Sequence, residues 1–164
     1  MIIERAPKLV LLITCFISLV SFKNPTEKII SSGHPYSSSF ANMEKDIFYY
    51  INLHRKSVGL YPLQLNNVES TIAAQHSYNM ATGKTAFGHS GLQNRMNAIA
   101  KRLGRITATG ENVASGQMSA KEVVDGWLHS PGHRRNIEGD FTLTGIGIAK
   151  DKRGVLYYTQ IFTK

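Results

Sequence analysis

The chain has 164 residues and a mass of 18.2 kDa, which fits one domain with a short additional segment. Hydrophobic residues make up 42% and charged residues 18%, which excludes a disordered chain and a coiled coil. The net charge of +8 favours anionic surroundings without specifying them, and the single cysteine, Cys15, excludes a disulfide framework and a cysteine-rich zinc site.

Residues 1–22 have the pattern of an export signal. Arg5 and Lys8 precede an apolar run from Leu9 to Phe22, and this run is shorter than the roughly 18 residues of a spanning helix. The segment therefore predicts a signal peptide or N-terminal membrane anchor that contacts the membrane during export. A buried core helix is disfavoured because the run is terminal and apolar on every side. Lipid attachment at Cys15 is a minor alternative.

Residues 23–40 are polar and rich in Ser, Pro and Gly, which predicts a linker before a domain at 41–164. Three amphipathic helices follow, each ended by a glycine. Their apolar stripes run from Met43 to Val58, from Val68 to Met80 and from Leu92 to Leu103.

The second half of the chain predicts one more helix and a hairpin. Ser119 and Glu122 form a capping box, and Pro131 with Gly132 is expected to end the helix that follows. The runs Thr144–Ala149 and Val155–Phe162 have strand character and are separated by turn residues. Helices followed by antiparallel strands predict an α+β domain with helices packed on a sheet.

Two residues stand out as candidates for chemistry. His89 lies between glycines in a loop, so its imidazole is expected either to face a cleft or to cap a neighbouring helix. Glu111 is a lone carboxylate in an uncharged stretch that should be partly buried, so it needs a partner or will hold a proton. That partner is either a protonated histidine or a metal ion, unless Glu111 is a structural hydrogen-bond hub.

The remaining histidines carry weaker signals. His54 and His76 lie on apolar stripes and are expected to be packed or at the rim of the core. His129 and His133 are four residues apart, but Pro131 and Gly132 between them argue against a metal-binding pair on one helical turn. His133 alone is expected to begin a new turn and face a cleft. No motif-marked nucleophile is present in residues 23–164.

Basic residues cluster in three groups late in the chain. For an exported protein, nucleic-acid binding is disfavoured, and we expect a solvated face with some attraction to anionic envelope polymers. The groups are Lys101, Arg102 and Arg105, then Arg134 and Arg135, then Lys150, Lys152 and Arg153.

A series of motifs in order across residues 43–162 resembles the CAP superfamily of cysteine-rich secretory, antigen 5 and pathogenesis-related class 1 proteins. The sequence is most similar to the bacterial SCP-like branch. The motifs are Asn52–Arg55 with Gly59–Leu63, Gly88–Gly91, Gly110–Ala114, Trp127–Ile137, Gly145–Gly147 and Tyr157–Gln160.

The resemblance implies a three-layer α-β-α sandwich with a cleft that in eukaryotic members carries two histidines and two glutamates. His89 and Glu111 match one residue of each kind, whereas Ser130 and Tyr157 stand where the other two are expected. We expect His133 to enter the same cleft and partly replace the missing ligand. The predicted cleft residues are His89, Glu111, His133, Ser130, Asn136 and Tyr157, and the predicted ligands of a divalent metal such as zinc are His89 and His133.

Three functions remain open at this point. The favoured one is an exported binding module, extracellular or periplasmic, rather than an enzyme; its ligand would be an anionic envelope polymer, a lipid or a protein. The alternative is a metal-dependent hydrolase in which His89 and His133 hold zinc and Glu111 is the general base. The third is a purely structural role, in which the cluster of polar side chains holds loops against the sandwich and binds no ligand.

Overall fold

The computed structural model describes residues 40–164; the predicted export segment, 1–22, and the predicted linker apart from Phe40 lie outside the described residues. The helices are α1 (Ala41–Ser57), α2 (Asn67–Ala81), α3 (Leu92–Leu103), α4 (Ala120–His129) and α5 (Pro131–Ile137). The strands are β1 (Gln64–Leu65), β2 (Thr109–Ser115), β3 (Leu143–Lys150) and β4 (Leu156–Thr163). None of the helices between residues 40 and 164 has the length and apolar character needed to cross a membrane.

The four predicted helices are present, and two of them, α2 and α4, start at a side-chain cap. Asn66 accepts hydrogen bonds from the amides of Val68 and Glu69 at the start of α2. Ser119 accepts from the amide of Glu122 at the start of α4, as the capping box predicts. The return bond differs, because the Glu122 carboxylate accepts from the amide of Met118, one residue before the cap.

Two local expectations were incomplete. Helix α4 already ends at His129, and Pro131 begins α5, because proline lacks the amide hydrogen that the first helical turn does not need. His133 therefore lies inside α5 and does not begin a turn. Residues 109–115 were not predicted as a strand, since their mixture of glycine, asparagine and glutamate has low strand propensity.

The four strands form one mixed sheet in the order β1-β3-β4-β2. The predicted hairpin is the antiparallel pair β3 and β4, in which Ile146 lies opposite Gln160. Strand β2 pairs antiparallel with β4, with Glu111 opposite Ile161, and it forms one edge of the sheet. Strand β1 pairs parallel with β3 at the other edge.

Helices cover both faces of the sheet, which gives the predicted three-layer α-β-α sandwich. On one face, α1, α4 and α5 bury a large apolar cluster that includes Ile47, Trp127 and Phe162. On the other face, α2 and α3 bury a smaller cluster around Ala73, Ile99 and Ile161. Because side chains alternate along a strand, Glu111 points to the α2–α3 face, whereas Asn112 points to the other face.

Candidate functional site

The buried carboxylate of Glu111 lies at the centre of the site. Its side chain is 1% exposed, and both of its oxygens accept hydrogen bonds from Arg95, each over 2.7 Å. The Nδ1 atom of His89 lies 2.9 Å from Oε1 of the same carboxylate. Since guanidinium and carboxylate meet in a two-pronged pair, the charge of Glu111 is compensated inside the protein.

Arg95 is a site residue that sequence reasoning missed. It lies in the first turn of α3, where a cation is unfavourable because the helix N-terminus is itself positive. Its guanidinium also donates to the carbonyl of Ser90 over 2.8 Å, so the same side chain fixes the loop that carries His89. An isolated arginine at a helix N-terminus, beside an apolar stripe, is the sequence feature that could have indicated a buried acidic partner.

The loop before α3 places His89. The backbone φ angles of Gly88 and Gly91 are +131° and +78°, values that side-chain-bearing residues rarely adopt. The buried His76 of α2 holds the loop from below, with Nε2 donating to the carbonyl of Gly88 over 2.8 Å. Burial lowers the pKa of His76, consistent with a neutral ring in this packed position. The His89 side chain itself is 48% exposed, so the imidazole is accessible to solvent.

Two asparagines tie α5 to the outer edge of β2. The side-chain amide of Asn136 donates to the carbonyl of Glu111 over 3.0 Å and to Oδ1 of Asn112 over 2.9 Å. Asn112 in turn donates to the carbonyl of His133 over 3.2 Å. Asn136 was a predicted site residue, whereas Asn112 was missed because its neighbour Glu111 carried the stronger signal.

A cleft of about 320 Å³ opens beside this cluster, between the outer edge of β2 and helices α4 and α5. We call it the Phe87–Trp127 cleft; its lining consists of Phe87, Val113, Ala114, Ser115, Gln117, Val123, Gly126, Trp127, Ser130 and His133. The indole nitrogen of Trp127 donates to the carbonyl of Val113 over 3.3 Å. Burial, with the charge of His89 as a smaller cause, lowers the pKa of His133 and favours its neutral form.

All six predicted cleft residues lie around β2. His89, Glu111 and Asn136 form the hydrogen-bonded cluster, and Ser130 and His133 line the cleft. Tyr157 does not line it but packs against Phe87, with ring centroids 6.5 Å apart.

The discounted histidines lie elsewhere. His54 pairs with Glu138 over 2.9 Å, and Nδ1 of His129 donates to the carbonyl of Asp125 within α4. His129 and His133 therefore belong to different helices, as the intervening proline indicated.

The donor set does not fit a catalytic zinc ion. Such an ion takes three protein ligands and keeps one open position. Between residues 40 and 164, no group of three or more His, Cys, Asp or Glu side chains could hold a metal. The imidazoles of His89 and His133 remain as potential ligands, because the Glu111 carboxylate is 1% exposed and both of its oxygens are bonded to Arg95.

The comparisons with known proteins agree with this geometry. Residues 48–162 match the family described as CAP, cysteine-rich secretory protein family, and the chain belongs to that family. It is 37% identical over 130 residues to the uncharacterized protein YkwD of Bacillus subtilis. The aligned region covers 77% of this chain and 49% of YkwD. It is 32% identical over 126 residues to the uncharacterized membrane protein YlbC of the same organism, covering 74% of this chain and 34% of YlbC. The chain thus spans half or less of these relatives.

Solved structures of bacterial proteins share the fold. An extracellular protein containing an SCP domain from Bacillus anthracis superposes with a TM-score of 0.66 at 25% identity, over 76% of this chain and 41% of that one. An outer surface protein of Borrelia burgdorferi superposes with a TM-score of 0.65 at 23% identity, over 76% of this chain and 94% of that one. The chain is therefore a bacterial CAP protein in its similarities, and its structural neighbours include extracellular and outer surface proteins.

Proposed function

We propose that this chain is an exported CAP-domain binding module that holds its ligand in the Phe87–Trp127 cleft. The observation that carries the proposal is the two-pronged contact between Arg95 and Glu111. A general base must present an oxygen to the reacting group, and both oxygens of Glu111 already accept from a fixed guanidinium. The carboxylate therefore supports the site as a structural anchor, and the cleft beside it remains available for binding.

The cleft offers the mixed chemistry of a ligand site. Phe87, 55% exposed, supplies apolar surface at the cleft, whereas Ser130 and His133 supply hydrogen-bonding groups. The export pattern of residues 1–22 and the extracellular neighbours both favour a location outside the cytoplasm, either secreted or associated with the cell envelope.

Envelope retention tests the proposal. The full chain, exported from a bacterial host, is incubated with isolated cell-envelope fractions, and the bound share is measured. Gly126 lines the cleft from α4, so the leucine side chain of Gly126→Leu should fill the cleft. Retention should fall roughly tenfold, the loss expected when the ligand is displaced from one well-placed contact.

Gly132→Leu is the matched control. Gly132 is also an exposed helical glycine, but it does not line the cleft and has open space around its Cα atom. Retention should be unchanged in this variant. Equal retention of both variants and the parent chain would contradict a binding role for the cleft.

The alternative, a metal-dependent hydrolase, has one observation in its favour. His89 turns Nδ1 to a buried carboxylate, which is how carboxylates commonly orient metal-binding histidines. Calorimetric zinc titration of the parent chain, His89→Ala and His133→Ala decides the matter. Tight binding lost in both variants would support a metal site, and no heat of binding in the parent chain would end this alternative.

A further inference from the structure

A second concave surface lies between α2 and α3 and shares no lining residue with the Phe87–Trp127 cleft. It is an open groove of about 260 Å³, which we call the α2–α3 groove. Carboxamide side chains form most of its polar lining, and small or aliphatic side chains form its apolar part. The lining consists of Ile72, Gln75, His76 and Asn79 from α2 and Asn94, Arg95 and Ala98 from α3.

The three carboxamides of the groove have unused hydrogen-bonding groups. Gln75 and Asn94 are exposed, and Asn79 is partly buried. Nε2 of Gln75 donates to Oδ1 of Asn79 over 3.0 Å, a contact between successive helical turns that orients both side chains. The oxygen of Gln75, the nitrogen of Asn79 and both polar atoms of Asn94 have no hydrogen-bond partner among residues 40–164. The groove therefore presents donors and acceptors side by side.

The lining of the groove carries no uncompensated charge that would select an ion. It contains no carboxylate, and the two oxygens of Glu111 compensate its one permanent cation, Arg95. Burial lowers the pKa of His76, which favours a neutral imidazole in the groove. The exposed cations of α3, Lys101 and Arg102, do not line it. The lining therefore suits a ligand that is polar but uncharged.

The chemistry of the carboxamide indicates the class of ligand. One such group carries an acceptor oxygen and a donor nitrogen on the same carbon, so it can bond two neighbouring hydroxyls of a sugar ring, which themselves both accept and donate. Ile72 and Ala98 offer apolar surface to the C–H groups of that ring. A lipid tail would leave the carboxamides without partners. An extended peptide would find no main chain to pair with, because helical N–H and C=O groups bond within the helix.

We propose that the α2–α3 groove binds a short stretch of a neutral glycan through the carboxamides of Gln75, Asn79 and Asn94. This site goes beyond the proposed function, because the glycan makes no use of the Phe87–Trp127 cleft. The paired carboxamides of α2 bond one side of the sugar and Asn94 bonds it from α3, while the aliphatic side chains contact its C–H groups. Binding is weak in so open a groove, with a dissociation constant on the order of 1 mM.

Calorimetric titration of the full chain with neutral hexasaccharides tests the proposal. The probes are linear hexamers of glucose, of mannose and of N-acetylglucosamine, and we expect at least one of them to bind. Asn94→Ala should weaken that binding roughly tenfold, because it removes a donor and an acceptor from the groove. Asn67→Ala is the matched control. Asn67 is also an exposed carboxamide of α2, but it does not line the groove, so the affinity should equal that of the parent chain.

Side-chain amide resonances report the contacts directly. On titration with the hexasaccharide that binds, the NH₂ resonances of Gln75, Asn79 and Asn94 should shift, whereas that of Asn67 should not. No binding by any of the three hexasaccharides, equal affinities of Asn94→Ala and the parent chain, or shifts confined to other residues would overturn the proposal. Larger shifts of the same three resonances with dextran sulfate, or with a capped glycine–serine hexapeptide, would overturn it in favour of an anionic or a peptide ligand.

The two binding sites can fail separately in these experiments. Gly126→Leu fills the Phe87–Trp127 cleft and should leave the affinity for the hexasaccharide unchanged. If Gly126→Leu rather than Asn94→Ala weakens that affinity, the sugar lies in the cleft, and the groove proposal is wrong while the binding module stands. If Gly126→Leu keeps envelope retention while Asn94→Ala loses hexasaccharide binding, the cleft proposal is wrong and the groove stands.

Discussion

Arg95 and Glu111 form the contact on which the site depends. Glu111 is 1% exposed and Arg95 12% exposed, so two charges are held almost out of water. Such a pair adds little net stability compared with apolar residues, but the loss of one partner leaves an uncompensated buried charge. By contrast, the His89 side chain is half exposed, so its contact with Glu111 is screened by solvent.

Replacing Arg95 tests this view of the site. Arg95→Leu should reduce the free energy of unfolding by about 3 kcal/mol, since the carboxylate of Glu111 loses its guanidinium. Arg102→Leu, an exposed position on the same helix, should change it by less than about 0.5 kcal/mol. Urea denaturation followed by Trp127 fluorescence measures both. A loss at Arg95 no larger than at Arg102 would mean that Glu111 has another effective partner.

Glu69 is another buried carboxyl, and no sequence motif indicated its burial. It lies on α2 with no exposed surface; Oε1 accepts from the hydroxyl of Thr163, and Oε2 has no partner among the described residues. Burial raises the pKa of Glu69 to about 7, against a smaller opposing effect of the hydrogen bond from Thr163. The protonated form is therefore favoured by the folded state.

This pKa shift makes stability depend on pH in a defined direction. Because the folded pKa lies above the unfolded value of 4.5, the contribution of Glu69 is fully present below pH 4.5 and is lost as pH rises to about 7. Glu69→Gln keeps the shape without the charge, so its stability relative to the parent chain should rise across this interval. Asp46→Asn, at an exposed position of α1, should show no such trend in denaturant titrations. A parallel pH dependence of Glu69→Gln and the parent chain would contradict the assignment.

At the scale of elements, the packing of α2 on the sheet depends on two glycines of β3. A Cβ atom on Gly145 would lie 2.2 Å from the main chain at Glu69 and Ser70, and one on Gly147 would lie 2.0 Å from the amide nitrogen of Ala74. These contacts are with backbone, which cannot turn aside as a side chain can. The predicted alternation of glycine and isoleucine in β3 thus leaves one face flat for α2 and fills the other with Ile146 and Ile148.

Adding one methyl group tests this close packing. Gly147→Ala should destabilise the fold by about 3 kcal/mol because α2 must move away from the sheet. Gly132→Ala, within α5 and surrounded by open space, should be neutral or should stabilise by up to about 1 kcal/mol, since alanine favours a helix. The melting temperatures of the two variants, followed by circular dichroism, should move in different directions or by clearly different amounts. Similar small shifts would mean that α2 and β3 tolerate a wider separation.

At the scale of the whole molecule, the excess positive charge is concentrated at surfaces outside the cleft. A groove of about 430 Å³ between the end of α2 and the turn of the β3–β4 hairpin is lined by Lys150, Lys152 and Arg153. Burial acts to raise the pKa of Asp151, the single carboxylate there, but the hydrogen bonds it accepts from the amides of Val155 and Arg153 help to lower that pKa overall. The carboxylate is thus engaged within the turn, and the three cations leave the groove with an excess of positive charge.

This distribution predicts binding of an anionic polymer at the hairpin. The double variant Lys150→Glu and Lys152→Glu should bind long-chain polyphosphate roughly tenfold more weakly at low salt, with the difference shrinking at high salt as charges are screened. Lys101→Glu with Arg102→Glu on α3 changes the net charge equally and serves as the control in the same titration. Equal losses in both variants would mean that net charge, and not the hairpin groove, controls the interaction.

Local sequence determined the helices, the hairpin and the family of this protein. Each stripe of apolar residues and each terminal glycine acts within a few neighbouring residues, so α1 to α4 and the pair β3–β4 could be predicted from spacing alone. The motifs that resemble CAP proteins, from Asn52 to Gln160, also lie in short contiguous runs. Loop glycines and an isolated carboxylate indicated His89 and Glu111, and the motifs place Asn136 among the predicted cleft residues.

Tertiary structure alone decided what those residues do. Arg95 meets Glu111 across 16 residues of sequence, and His89 meets it across 22, so neither contact has a local pattern. Strand β2 exists because its main chain pairs with β4 rather than because its residues prefer a strand. Hydrogen bonds between distant segments depend on the geometry of the packed layers. Local spacing in the sequence does not determine that geometry.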